Sequence, residues 1–465
     1  MSLSFLRAAR EAPGRTAVVA DSAAWSFAEF LPFVNGALRH LANLGLRPGD
    51  GRLVALDALP RKETLAFLYA LMEWGIPFVP IREGLTAREQ REVLGRCGPS
   101  FLLDDPLPAT RETGSPFGPP EPPPQDDRPL AILHTSGTSG RSKGVVLSRA
   151  AFVASAGASA ANLGWEERDR WAIALPLAHV GGLSIVTRCL LARRTVVLAG
   201  PFGAERLARV VARERVTLLS AVPAMIRRLL DLEPAWRPPP FLRAVLAGGG
   251  PLSPALLEEA WTRGIPLLPS YGLTETCSQI AAWPYGTRPP APVAKALPGA
   301  EMRVRDGRLH VRGPMLLTSY FPPDSYPPPI LEDGWFDTGD LGTIDDDGLV
   351  SVIGRADETV VTGGENVSPR EVEEQLERFA GVRAACVFGL RDETWGEVLA
   401  AALVLEEGSS LDPDALAAHL AETLAPHKRP RKIACVASLP LTTSGKIDRE
   451  AVRSLASPLL APFRR

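Results

Sequence analysis

Two lysines stand inside loops made of glycines and hydroxyls: Lys143 in TSGTSGRSKG (135–144) and Lys446 in LTTSGKIDR (441–449). Only six of the 51 basic residues are lysines, at positions 62, 143, 295, 428, 432 and 446. In so arginine-rich a chain, a lysine in such a loop points to a need for a compact ammonium, which arginine's planar fork does not supply. Around Lys143, the hydroxyls of Thr135, Ser136, Thr138 and Ser139 and the backbone N–H groups of a turn through Gly137 and Gly140 can converge on an anion. A nucleotide-hydrolysing P-loop is excluded. That pattern needs a hydroxyl directly after the lysine to hold Mg²⁺, and here Gly144 follows Lys143.

These loops need rigid elements to hold them. Residues 15–105 alternate apolar runs (TAVVA, RLVALDA, IPFVPI) with helical patterns such as KETLAFLYALMEWG, which predicts βαβ units and a mostly parallel sheet. A proline-rich stretch, 106–129, is expected to be an exposed connection. The β/α alternation resumes over 150–300 (WAIALPLAHV, RTVVLAG, RAVLAGGG, IPLLPSYG). Short strands with turn signals at about 301–353 (EMRVRDG, RLHVRG, LVSVIG) predict a small antiparallel β module, and an α+β segment follows GRADE (354–358). The expected fold class is α/β: a large N-terminal domain, 1–354, of β/α layers with the β module, then a smaller α+β domain, 358–465. No internal repeat is present.

Composition narrows the function. The 465 residues are enough for two or three domains, and 45% hydrophobic with 22% charged residues describes a globular chain with a large core. A net charge of -2 gives no long-range attraction to nucleic acid or to an anionic membrane. No apolar run is long enough for a membrane span, and the start, MSLSFLRAAREAPGR, does not read as a signal peptide. Five cysteines (97, 189, 277, 386, 435) lack CxxC pairing, so neither a disulfide framework nor a zinc site is expected. The expectation is a reduced, cytoplasmic enzyme acting on small molecules, with room for a homo-oligomer.

Taken in order, the motifs TSGTSGRSKG, SYGLTETCSQ (270–279, after AGGG at 247–250), GWFDTGDLG (334–342), GRADETVVTGGENVSP (354–369) and LTTSGKIDR resemble the signatures of the adenylate-forming superfamily of acyl-CoA synthetases, peptide-synthetase adenylation domains and luciferases. Ser139 replaces a usual threonine, and Ser142 a usual proline, which leaves the phosphate loop less rigid. The resemblance implies ATP, Mg²⁺ and coenzyme A as ligands and a small-molecule carboxylic acid as substrate. Thr135, Ser136, Gly137, Thr138, Ser139, Gly140 and Lys143 would hold phosphate; Gly248, Gly249, Tyr271 and Gly272 would line the adenine; Thr274 would touch the α-phosphate and Glu275 would hold the metal. It further implies that Asp340 and Arg355 bind the ribose or phosphate and that Lys446 bridges the substrate carboxylate and the α-phosphate. A hinge at 355–357, centred on Asp357, would turn a mobile C-terminal domain and present Gly363 and Gly364 of the GGEN loop to coenzyme A.

The acid is addressed by PLAHVGGLSIVTRCLL (176–191). By resemblance His179 is a gate residue between the acid and thiol channels; as a lone histidine in an apolar segment it reads equally well as a buried, satisfied one. No aspartate stands where amino-acid-activating domains hold an amine, and no carrier-protein signature follows Lys446, which argues against a peptide-synthetase module. The nearest resemblance is to the o-succinylbenzoate–CoA ligases of menaquinone biosynthesis, whose substrate carries two carboxylates. Arg188 is then the candidate for the carboxylate that is not activated, the alternative being a surface or interdomain ion pair. Gly248, Gly249 and Ser270 would admit a flat ring close to the backbone. A benzoate-type or medium-chain acyl-CoA ligase, or a non-catalytic adenylate-binding protein, are the other readings.

Overall fold

The computed structural model describes residues 2–103, 127–135, 143–232, 235–322, 325–327, 329–331, 333–442 and 445–463. Most of the proline-rich stretch therefore lies outside the described residues. Its last residue, Pro129, is exposed and opens the strand Pro129–Thr135, a strand position that tolerates the missing N–H.

The chain forms a large α/β N-terminal domain with mixed sheets and a smaller α+β C-terminal domain. Thirteen strands make the largest sheet. Its middle is parallel, through Leu267–Leu273, Ala244–Ala247, Leu218–Ala221, Arg170–Ile173, Thr195–Leu198 and Thr16–Ala20. These are the apolar runs, and Thr195–Leu198, Leu218–Ala221 and Ala244–Ala247 are buried at every position, as strands covered on both faces must be. Neighbouring residues feed different cores: Trp171 and Val196 point to one layer, Ala172 and Val197 to the other.

The antiparallel strands expected at 301–353 do form, but as an extension of this sheet rather than beside it. Leu349–Arg355 pairs with Ala294–Ala296 on one side and with Phe336–Ile344 on the other. A second sheet of six strands carries the hairpin Pro129–Thr135/Lys143–Ser148. In the C-terminal domain the long hairpin Val382–Asp392/Gly396–Leu405 alternates its side chains: Ala385, Val387 and Leu403 pack with Val372, Leu376 and Leu416, while Cys386, Phe388 and Ala402 pack with Val452 and Ala456. The helix Arg449–Ala456, directly after the Lys446 loop, is thereby fixed to the back of that sheet.

Candidate active site

The sheet junction between the strands Phe336–Ile344 and Leu349–Arg355 sets Asp340 directly opposite Arg355. Alternate residues of the first strand face inward, so Asp340 is buried along with Phe336 and Thr338. The Tyr271 hydroxyl donates to Asp340 Oδ2 at 2.6 Å, and Arg355 donates to Oδ1 at 3.2 Å and to the Thr338 carbonyl at 3.0 Å. The other edge of the same guanidinium holds Asp357 Oδ1 at 3.0 Å. Burial pushes the Asp340 carboxyl up, while the Tyr271 hydrogen bond, Arg355 and Lys446 pull it down.

Directly after the strand Leu267–Leu273, which carries Tyr271, a short turn, Thr274–Thr276, holds Glu275. Lys143 opens the second strand of its hairpin, paired with Thr135. Its ammonium lies 3.8 Å from Glu275 Oε1 and 3.8 Å from the centre of the Tyr320 ring, whose hydroxyl donates to the same Glu275 oxygen at 3.1 Å. Lys446 enters from the small domain on a tight loop, with the Thr442 N–H donating to its carbonyl at 2.6 Å and Leu441 bridged to Ile447. Lys446 is exposed to solvent, with protein packed around its stem. That partial desolvation lowers its pKa, and Asp340, Glu275 and Glu358 oppose the shift. One ammonium thus senses the carboxylates of both groups.

The end expected to take the acid is the helix Val180–Ala192, in which Gly182 to Leu191 are all buried. A helix this enclosed leaves Arg188 no route to solvent, and the residue is 2% exposed. Its Nη2 donates to Ser278 Oγ at 3.3 Å, its guanidinium lies 5.5 Å from the centre of the Trp171 ring, and its Nε has no partner. Among the described residues no carboxylate forms an ion pair with it, and burial lowers its pKa to about 10. Ser278 and Cys277 both have left-handed backbones, φ 88° and 50°, and Ser278 also accepts from the Ser184 hydroxyl at 3.4 Å. His179 caps the helix without a side-chain bond; its Nε2 is buried and unpartnered, and burial, then Arg82 and Lys446, lower its pKa to about 4. The wall between is bare backbone. A β-carbon on Gly272 would fall 1.8 Å from the Ser278 carbonyl oxygen, and one on Gly248 would fall 2.7 Å from Ser270 Oγ, which itself donates to the Ala247 carbonyl.

An arrangement of this kind, with Tyr271, Asp340 and Arg355 in one group, Lys143 and Glu275 in another, and Lys446 coupled to both, has counterparts. The AMP-binding enzyme family matches residues 5–321, and the AMP-binding enzyme C-terminal domain matches residues 371–446. The chain belongs to the AMP-binding enzyme family. Within it, the 2-succinylbenzoate–CoA ligase of Bacillus licheniformis is 34% identical, covering 94% of this chain and 96% of that protein, and the one of Bacillus subtilis is 33% identical, covering 96% of each. The solved o-succinylbenzoate CoA synthetase of B. subtilis in complex with its acyl-adenylate intermediate superposes with a TM-score of 0.85 at 32% identity, over 97% of this chain and 98% of that one. ATP-bound MatB from Rhodopseudomonas palustris gives 0.87 at 27% identity, over 98% and 99%.

In this family member, Tyr271, Asp340 and Arg355 form one group, Lys143 and Glu275 a second, and Lys446 is coupled electrostatically to Asp340 and Glu275. Thr135 contributes its hydroxyl to the Lys143 carbonyl at 3.4 Å. Thr274 begins the turn that holds Glu275, and Gly249 has φ 74°. Gly363 and Gly364 form the turn of a hairpin in the small domain, where a β-carbon on Gly363 would meet the Trp395 ring at 2.7 Å. Asp357 is exposed and bonded to Arg355. Ser136, Gly137, Thr138, Ser139, Gly140 and Ser142 lie outside the described residues. Sequence reasoning missed Tyr320 and Ser278. Tyr320 is one of only five tyrosines and follows the β module's start, but nothing local ties it to Lys143, 177 positions earlier. Ser278 lay inside a motif already noted, and its left-handed backbone was the missing signal.

Proposed function

We propose that this chain is an ATP-dependent acid–CoA ligase that converts 2-succinylbenzoate, ATP and CoA to 2-succinylbenzoyl-CoA, AMP and diphosphate, as menaquinone biosynthesis requires. The observation that carries the choice of acid is Arg188: a buried guanidinium answered by a hydroxyl and an indole face, with no carboxylate of the protein's own among the described residues. A buried charge is retained at a cost unless a partner arrives, and a substrate's second carboxylate is such a partner. A benzoate-type acid would leave it unanswered.

The chemistry follows from charge. The acid to be activated is ionised at neutral pH and is itself the nucleophile; its oxygen bonds to the α-phosphorus of ATP as the bond to diphosphate breaks. Both reactants are anions, so the work of the protein is to lower their repulsion. Lys446 sits where it can touch both, and Lys143 faces the departing phosphates. Among the described residues no three metal-binding side chains gather, so Mg²⁺ would come held by the phosphates and water with Glu275 as its protein carboxylate, a ligand set it accepts. When bound, it supplies further neutralisation of phosphate charge. Asp340 and Arg355 would hold the ribose or phosphate, with Tyr271 beside the adenine and Gly248, Gly249 and Gly272 against the adenine or the aromatic ring.

The second step is attack of the CoA thiol on the acyl carbonyl, releasing AMP. For that step we propose that the small domain turns about Asp357, withdrawing Lys446 and presenting Gly363 and Gly364. His179, neutral in its apolar surroundings, would separate the acid from the thiol channel. No described helix is long and apolar enough to cross a membrane, and all five cysteines are free, in keeping with a reducing cytoplasmic site of action. ATP–diphosphate exchange with a panel of acids is the test. Exchange with 2-succinylbenzoate and none with benzoate is expected; exchange with benzoate at the same rate would remove Arg188 from its role, and none with any acid would remove catalysis.

A further inference from the structure

The helix Pro223–Leu230 of the large domain meets the small domain at both of its ends. At the start is Val222, the residue before the helix, whose Cγ2 would lie 2.7 Å from a β-carbon on Gly445. Gly445 has φ 81° and directly precedes Lys446. Only a glycine lets the Lys446 loop come this close to Val222 with that backbone. At the end of the helix is Asp231, its C-terminal cap, which pairs with Arg383 at the start of the strand Val382–Asp392. The helix spans eight residues, so the two contacts are about 12 Å apart.

Two contacts so separated do what one cannot. Ser368, close to the hinge, donates to the Ile353 carbonyl at 3.0 Å; that bond and the seat of Gly445 on Val222 leave rotation about the line that joins them, and an ion pair some 12 Å from the seat opposes that rotation. The pair is suited to reversible use. Asp231 and Arg383 are both partly exposed, and they wall a cleft of about 610 Å³ that also takes in Phe202, Arg206 and Arg228. Water reaches the pair, so it can break without stranding a buried charge. Among the described residues neither partner has another ion pair.

We propose that Asp231 and Arg383 are positioning residues for the first half-reaction: they hold the small domain in the orientation that keeps Lys446 in the cleft, and they separate for the second. Neither touches the nucleotide site, and both act through Lys446. The proposal rests on the two-step ligase reading above.

The test is charge reversal and exchange. Arg383→Glu and Asp231→Arg are each expected to slow ATP–diphosphate exchange with 2-succinylbenzoate by about three- to tenfold, the scale of replacing an exposed attraction by repulsion. Thioester formation from supplied acyl-adenylate should be unchanged or faster, and the double variant should regain the exchange rate. Equal slowing of both half-reactions, or no regain in the double variant, would overturn the proposal. A second measurement does not depend on the acid. Cys435 is the exposed cysteine and the other four are buried, so spin labels at Cys435 and at Arg168→Cys report the interdomain distance with ATP bound. One narrow distribution is expected for the parent, a broader one for each single reversal, and a narrow one again for the pair; identical distributions in all four would refute the role of the ion pair. If the parent fails to turn over 2-succinylbenzoate yet shows this pattern, the choice of substrate falls and the positioning role stands.

Discussion

The two ends of the site, proposed to hold the ribose and the acid, handle charge in opposite ways. Asp340 has a protein donor on each oxygen, and Arg355 divides its guanidinium between Asp340 and Asp357. Arg188, as deeply buried, has one long hydrogen bond to a hydroxyl and an unpartnered Nε. The first arrangement is complete before any ligand arrives and so can position a neutral sugar without reorganising. The second is incomplete, and an anion would complete it. An unanswered buried cation is a statement about the ligand, whereas an answered one is chiefly a statement about the fold.

Lys446 lies between the two ends, and removing it should have the largest effect. Lys446→Ala is expected to slow acyl-adenylate formation by about 10²- to 10³-fold, the scale of losing one preorganised charge at a developing anion. Thioester formation from supplied adenylate should be little changed, because the proposed turn of the small domain withdraws the lysine in that step. Rapid-quench measurement of each half-reaction decides; a matching loss in both would make the residue a structural one.

A paired experiment sharpens the contrast directly. Lowering the Arg188 pKa from 12.5 to about 10 by burial corresponds to roughly 3 kcal/mol held against the folded state. Arg188→Met should therefore leave the free protein as stable or more so, by up to about 2–3 kcal/mol, while kcat/KM for 2-succinylbenzoate drops by about 100-fold or more. Asp340→Asn tests the other end through binding: Arg355 and Tyr271 lose a charged partner and KM for ATP rises about tenfold, while stability changes little, because burial also holds the Asp340 carboxyl above its ordinary range and the neutral amide relieves that cost. Calorimetry with steady-state kinetics on both variants gives the answer. If Arg188→Met melts well below the parent, the guanidinium has a structural partner after all and the contrast between the ends collapses.

How much of this was legible in the chain differs by the range of the interactions. The βα alternation and the order of motifs follow from local patterns, and the apolar runs TAVVA and RTVVLAG became strands where expected. Lys143, Glu275, Asp340 and Lys446 could be singled out as candidates because each lies in a recognisable motif, though Asp340 sits in the strand Phe336–Ile344 rather than in a loop. What was not readable depends on pairing across the sheet. That the antiparallel strands would join the main sheet through Ala294–Ala296 follows from a register no short segment encodes. Tyr320 reaches Lys143 only because Ser319–Phe321 is laid beside Lys143–Ser148. Arg188 was chosen by type and position, but its burial depends on helix packing that a 13-residue stretch does not specify.

The smallest expected effect separates the ends by pH. His179 lies at the acid end, and its folded pKa is about 4 against about 6.5 for a free histidine. The sign follows from proton uptake. As pH falls below about 6.5 the unfolded chain binds a proton that the folded chain refuses until about pH 4, so stability is lost across that window and is intact above it. At pH 5 the loss from this one residue is about 2 kcal/mol, or a few degrees in melting temperature for a chain of this size. His134, half-buried beside Cys97 in the strand Pro129–Thr135 and likewise lowered by burial to about 4, adds a second contribution in the same direction. His179→Phe should flatten part of the fall in melting temperature between pH 7.5 and 5 and leave the His134 part in place. A variant that loses stability with acid as steeply as the parent would mean that His179 is solvated or paired in solution, and the acid end would then be wetter, and its arginine better answered, than the contrast with Asp340 requires.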